Sequence, residues 1–276
     1  MYNYYDMYRE FFGLKEKPFN VTSDPGFLFL SRVHKEAFSH LLYGIKERKG
    51  FLEITGEIGA GKTTICRAIL NQLDSKTRTA FIFNSNLPEL QLLQCILEDF
   101  GLEVHKRNKA SMLRQLNNFL LEELSKGNNI VLIIDEAQNL KPYVLEEIRM
   151  LSNLETDKEK LFQIILVGQP ELKKKIDSPA LVQLKQRIAV KFHITALEKD
   201  EVDKYIYHRL SVAGSRGDIQ FPQDAIDAIY RFSGGIPRLI NMICDKSLLA
   251  AYVMETKVVG LPIIEKSINE LEGQKA

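Results

Sequence analysis

The run Gly56-Glu57-Ile58-Gly59-Ala60-Gly61-Lys62-Thr63-Thr64 fits G-x-x-x-x-G-K-[ST]. The pattern carries chemistry only between a strand and a helix. Here an apolar stretch, Phe51 to Thr55, precedes it, and a helical pattern from Lys62 to about Leu73 follows. Glycines let a backbone wrap closely around phosphates and adopt positive φ. The loop N–H groups then form an anion nest, and the following helix adds its positive dipole end. In that arrangement Lys62 reaches β- and γ-phosphates and the Thr63 hydroxyl ligates Mg²⁺. The competing reading, a plain Gly-rich turn, is disfavoured by the strand–loop–helix context.

A second apolar run, Asn129 to Ile134, ends in Asp135-Glu136. Two acids at the tip of a buried strand are costly without partners or a task. Ligands of open α/β sheets bind at the carboxyl ends of strands. Asp135 is therefore expected to hold Mg²⁺, directly or through water, and Glu136 to polarise an attacking water. The alternative is a helix cap. A third run, Gln163 to Gly168, ends in Gln169. Its amide can orient the water or touch the γ-phosphate; the alternative is a turn residue before Pro170. Arg187, before the fifth apolar run, and Arg238, opening a later helix, are candidates for stabilising γ-phosphoryl charge. From local sequence alone, an ion-pair partner is the stronger reading of each.

These residues need a scaffold that brings strand tips together. The runs Phe51 to Thr55, Thr79 to Asn84, Ile130 to Asp135, Gln163 to Gly168 and Val190 to Ile194 alternate with helical patterns. These cover Lys62 to Leu73, Leu90 to Phe100, Ser111 to Ser125 and a stretch from Pro142. Such alternation predicts an α/β fold with a mainly parallel sheet. After Thr195 only helices are expected: Asp200 to Ala213, Pro222 to Phe232, Ile236 to Met254 and Pro262 to Leu271. The division is an N-terminal arm over 1–30, an α/β domain over 31–195 and a small helical lid over 196–276. The Tyr-rich start (Tyr2, Tyr4, Tyr5, Tyr8) reads as an arm packing on its own core or staying loose, the alternative being a contact for a neighbouring subunit.

With 276 residues, 37 Lys+Arg and 36 Asp+Glu, the chain has a net charge of +1 and no global pull toward nucleic acid or acidic lipid. Cys66, Cys95 and Cys244 are far apart and suggest neither a disulfide framework nor a zinc site, which fits a reducing cytosol. His40, His105, His193 and His208 have no metal spacing with them. The start lacks a signal-peptide pattern, and no apolar run approaches the roughly 20 residues of a membrane span. The expected location is the cytoplasm, at most peripheral at the inner face of its membrane.

The two acids, the strand pattern and the helical second part together resemble the AAA+ ATPases. More narrowly, the chain resembles the ATPase module of the general secretion pathway protein A (ExeA) family. Asp135-Glu136-Ala137-Gln138-Asn139-Leu140, Leu151-Ser152-Asn153-Leu154-Glu155-Thr156 and Leu166-Val167-Gly168-Gln169-Pro170-Glu171-Leu172 carry that likeness. So do Lys17-Pro18-Phe19, Gln186-Arg187-Ile188 and Ser233-Gly234-Gly235-Ile236-Pro237-Arg238. The resemblance implies a P-loop fold with sheet order 5-1-4-3-2 and a helical lid. It implies ATP and Mg²⁺ as cofactors and hydrolysis of the β–γ phosphoanhydride. It assigns Gln169 as first sensor, Arg187 as an arginine finger acting in trans and Arg238 as second sensor. It also gives Pro18-Phe19 and His34 a part in holding adenine or orienting the N-terminal linker. Full members continue into a membrane span and a peptidoglycan-binding domain, and neither is expected from these residues.

The function expected from this resemblance is an oligomerising ATPase, in a ring or filament, that drives or times assembly of a bacterial envelope secretion, pilus or export machine. The alternative is a DNA-binding regulator of transposition target selection. Lys173-Lys174-Lys175 and His105-Lys106-Arg107 are the candidate phosphate-tracking groups for that role. A nucleotide switch with negligible hydrolysis is a third reading, against which Asp135-Glu136 argues.

Overall fold

The computed structural model describes residues 7–83, 87–152 and 160–273. By their contacts they form two compact units. One comprises 32–57 and 62–194; the other comprises the residues up to 31, 58–61 and those from 195 onward.

The first unit is built on β1 (Phe51–Gly56), β2 (Thr77–Ile82), β3 (Asn129–Ile134), β4 (Gln163–Gly168) and β5 (Ile188–Ile194). They form one parallel sheet in the order β2-β3-β4-β1-β5, the order implied by the resemblance read from the other edge. The three central strands are buried almost throughout. A parallel sheet covered on both faces needs such continuous apolar runs rather than alternation. The edge strands differ. β2 is buried only over Ala80–Ile82, and in β5 Lys191 and His193 are exposed. This is why the apolar signal finds only part of each. β2 begins at Thr77 rather than Thr79, and β5 at Ile188 rather than Val190. Asn84, the expected end of β2, lies outside the described residues.

Helices α2 (Arg32–Lys46), α3 (Lys62–Leu70), α4 (Glu89–Asp99), α5 (Lys109–Ser125), α6 (Pro142–Leu151), α7 (Pro170–Ile176) and α8 (Val182–Arg187) belong to this unit. The expectations placed no helix at α2. Its inward positions are His34, Ala37, Leu41, Gly44 and Ile45, so a helical period is written largely in residues that are not strongly apolar.

The second unit holds α1 (Met7–Phe11) with α9 (Lys199–Val212), α10 (Gln223–Ser233), α11 (Pro237–Val253) and α12 (Leu261–Glu272). Glu198 makes a capping box with Glu201 at the start of α9. The N-terminal segment is part of this unit's core. Tyr8, Phe12, Phe19 and Phe27 are buried beside Leu197, Tyr205, Ile226 and Ile240. Tyr8 Oη donates to Asp245 at 2.8 Å, while Tyr2, Tyr4 and Tyr5 lie outside the described residues. Among the described residues no helix is long and apolar enough to cross a membrane. All three cysteines are free, and burial pushes the Cys66 and Cys244 thiols up, away from the reactive thiolate.

Arg209 ties the N-terminal segment to α9. Its guanidinium donates to Pro18 O, to Asn20 O at 3.0 Å and to Tyr205 Oη at 3.1 Å, and it lies over the Phe27 ring at 4.7 Å. A planar five-donor fork meets these partners at once; an ammonium does not. Arg209→Lys is expected to lower stability by about 1.5–3 kcal/mol, the range for hydrogen bonds to a charged group. Denaturant unfolding measures this, and amide exchange should quicken over residues 18–29. Unchanged exchange there would remove Arg209 as the tie.

Candidate active site

The loop between β1 and α3 is shaped by Gly59 and Gly61, with φ of 81° and 95°. A side chain at Gly59 would meet a second obstacle, because its Cβ would lie 2.4 Å from the Cβ of Arg238. The Arg238 N–H, at the start of α11, donates to Gly59 O at 3.2 Å, a contact within the second unit. Ala60 is buried, while Glu57 and Ile58 are exposed.

Lys62 opens α3 and is buried. Its ammonium donates to Gly56 O at 2.8 Å and Glu57 O at 2.9 Å, which satisfies a charge that burial penalises. Burial holds the Lys62 ammonium below its usual range, against the opposing pull of Glu136 and Asp135. One residue on, Thr63 Oγ1 donates to Asp135 Oδ2 at 2.6 Å. Asp135 follows β3, is buried, and accepts the Glu136 N–H on Oδ1 at 2.9 Å. Burial pushes its carboxyl up; the Thr63 hydrogen bond, the Glu136 N–H and Lys62 pull it down. A hydroxyl and a carboxylate are hard oxygen donors of the kind that suit Mg²⁺ shared with phosphate oxygens. On that donor set the residues fit the ion. Thr64 is half-buried in the first turn of α3.

Glu136 has φ 52° and ψ 34°, a left-handed backbone unusual for a residue with a side chain. Such strain is found where a site over-determines the backbone. Its Oε2 accepts from Gln169 Nε2 at 3.0 Å, so the carboxylate after β3 and the amide after β4 are in direct contact. The same oxygen accepts from Gln138 Nε2 at 2.6 Å. Gln138 was not among the expected site residues. It lies in the short 3-10 turn Ala137–Asn139, where no periodicity marks a side chain as inward; its amide chemistry was the available signal.

Arg187, the last residue of α8, donates from Nη1 to Ser152 Oγ at 3.2 Å. Arg238 is exposed, and it meets Gly59 through its backbone N–H and the inner part of its side chain. Phe19 packs edge-on against Phe221 in the helical core, and His34 is buried in α2.

Of the proposed basic cluster, Lys175 is turned inward. Its ammonium donates to Gln138 O at 2.5 Å and Leu140 O at 2.7 Å, and burial holds it below its usual range. Lys173 and Lys174 are exposed on α7. Lys175→Met is expected to cost about 1–3 kcal/mol, since two carbonyls lose a charged donor. Urea unfolding reads the loss, and the backbone of the turn at residues 137–140 should gain amide exchange. Wild-type exchange in that turn would contradict the bracing role.

The AAA domain family matches residues 45–176. General secretion pathway protein A of Aeromonas hydrophila is 46% identical over 247 residues, which cover 89% of this chain. The match covers 45% of that relative, so the chain spans about half its length. Among solved structures, the Aeropyrum pernix ORC2 protein in ADPNP–ADP complexes aligns with a TM-score of 0.72 at 17% identity, covering 93% of this chain and 72% of that one. Cdc6p from Pyrobaculum aerophilum aligns at 0.69 and 17% identity, covering 92% and 70%. At those identities the likeness is one of fold.

Proposed function

On the premise that this chain is an AAA+ P-loop protein similar to general secretion pathway protein A, we propose that it binds ATP with Mg²⁺ and hydrolyses the β–γ phosphoanhydride. The observation that carries this reading is the convergence of Thr63, Asp135, Glu136 and Gln169 beside a loop with Lys62 at its base. The loop N–H groups and Lys62 bind the β- and γ-phosphates, with Lys62 exchanging its loop carbonyls for phosphate oxygens. Thr63 and Asp135 would hold the ion, which would neutralise charge on the phosphate oxygens. Glu136 takes the proton of the attacking water, and Gln169 fixes the position of that carboxylate and of the water. Arg187 acts on a neighbouring subunit's γ-phosphate, and Arg238 responds to the nucleotide from the helical unit. The roles of Gln169, Arg187 and Arg238 are those that the resemblance implies.

The output we propose is nucleotide-controlled self-association, in a ring or filament, that drives or times assembly of an envelope secretion, pilus or export machine. The protein works on the cytoplasmic side of the membrane, and its partner there is a protein. The relative's name supports this reading over transposition control. The inward turn of Lys175 supports it too, because that ammonium is already occupied by backbone carbonyls.

Glu136→Gln is expected to lower turnover by roughly 10²–10⁴-fold, the range for loss of a general base, while retaining ATP affinity. Lys62→Ala is expected to lose ATP affinity itself. Steady-state hydrolysis and fluorescent-nucleotide titration separate the two. Light scattering of the Glu136→Gln protein with ATP and Mg²⁺ should show defined oligomers without DNA. Assemblies that form only on double-stranded DNA would instead establish the transposition reading.

A further inference from the structure

Gln138 stands at the centre of a closed set of hydrogen bonds, and the roles above give it no part. Its Nε2 donates to Glu136 Oε2 at 2.6 Å, while its Oε1 accepts the Gln169 backbone N–H at 3.1 Å. Gln169 closes the ring by donating from its own Nε2 to the same Glu136 oxygen at 3.0 Å. One side chain thus reads both the carboxylate that follows β3 and the backbone that follows β4. An amide is suited to this because it presents a donor and an acceptor on one rigid plane.

The surroundings hold Gln138 in that pose from two directions. Lys175, on α7, donates to the carbonyls of Gln138 and Leu140, so the turn beneath the amide is braced by the helix that Gln169 precedes. On the other side Gly168 leaves space for the amide. A Cβ there would lie 2.7 Å from Gln138 Oε1 and 2.8 Å from Leu172 Cδ2. Glu136 itself has a left-handed backbone, which needs such external bracing to persist.

We propose that Gln138 is a positioning residue for hydrolysis, coupling Glu136 and Gln169 into one unit so that carboxylate and amide address the same water. The proposal rests on the reading of Glu136 as the water-activating carboxylate. Gln138 does not touch the reacting atoms; it acts through the two groups that do. Loss of the coupling leaves nucleotide binding intact and misplaces the carboxylate, and a misplacement of about 1 Å can cost on the order of 10²-fold in rate.

The test is steady-state ATP hydrolysis by Gln138→Met, which keeps length and volume but removes both hydrogen bonds. Gln138→Glu, which keeps acceptors and loses the donor, guards against a folding defect peculiar to Met. Both are expected to lower kcat by roughly 10-fold or more while KM and the affinity for a fluorescent ATP analogue stay within about threefold. The same substitutions are then made in the Glu136→Gln protein and read by single-turnover hydrolysis. There they are expected to add no further loss, because residues acting as a unit are not additive. Wild-type kcat in Gln138→Met, or an equal loss in both backgrounds, overturns the proposal. Parent and proposal fail differently. Glu136→Gln hydrolysing at the wild-type rate removes the water-activating reading and this proposal with it. An inactive Glu136→Gln beside a fully active Gln138→Met removes only the role of Gln138.

Discussion

A carboxylate buried at the end of an otherwise apolar strand is the constraint on which the α/β unit turns. Asp135 follows a run of aliphatic residues through the middle of a covered sheet, and burial opposes its charge. Such a group persists only where donors reach it. Thr63 supplies one from the first turn of α3, and the Glu136 N–H supplies another. The Thr63 bond fixes the start of α3 against the tip of β3, two strands away from β1 in the sheet order. The chain leaving β1 reaches that helix through the positive-φ turns of Gly59 and Gly61. The backbone of Glu136 is drawn into the same arrangement, and its left-handed conformation lies directly beside the residue it helps to satisfy.

Much of this was legible in the residues. The phosphate loop, the acid pair and Gln169 are marked by residue type at strand ends, and the structure brings Thr63, Asp135, Glu136 and Gln169 into direct contact. The central strands were legible because burial on both faces writes an unbroken apolar run. The edges were legible only in part, since half of β2 and alternate residues of β5 are not buried. α2 escaped notice because its inward face uses His34, Ala37 and Gly44. Lys175 illustrates the deeper limit. Beside Lys173 and Lys174 it reads as one of three solvated charges, yet it caps backbone carbonyls of a distant turn. Tertiary hydrogen bonds of this sort leave no period in the sequence.

The second unit shows the same economy in its use of a charged group. Arg209 replaces a set of separate capping contacts by presenting several donors at once, and the aromatic rings of Phe27 and Tyr205 shield it. Tyr205 in turn donates to Asn241, which extends the network from α9 into α11. A polar network buried this way is tolerable because its members are mutually satisfied.

That unit is also discontinuous along the chain, with its N-terminal segment and its helical part separated by about 160 residues of intervening sequence. During synthesis at roughly 5–20 residues per second, Phe12, Phe19 and Phe27 therefore emerge on the order of ten seconds before α9 to α12 exist to bury them. The α/β unit can collapse in that interval, while the aromatic segment waits without its core. Newborn chains consequently pass through a stage in which that aromatic segment lacks the helices that bury it. That stage is open to chaperone capture or to wrong pairing between nascent chains, and it closes only when Arg209 and the helices that follow it have left the ribosome.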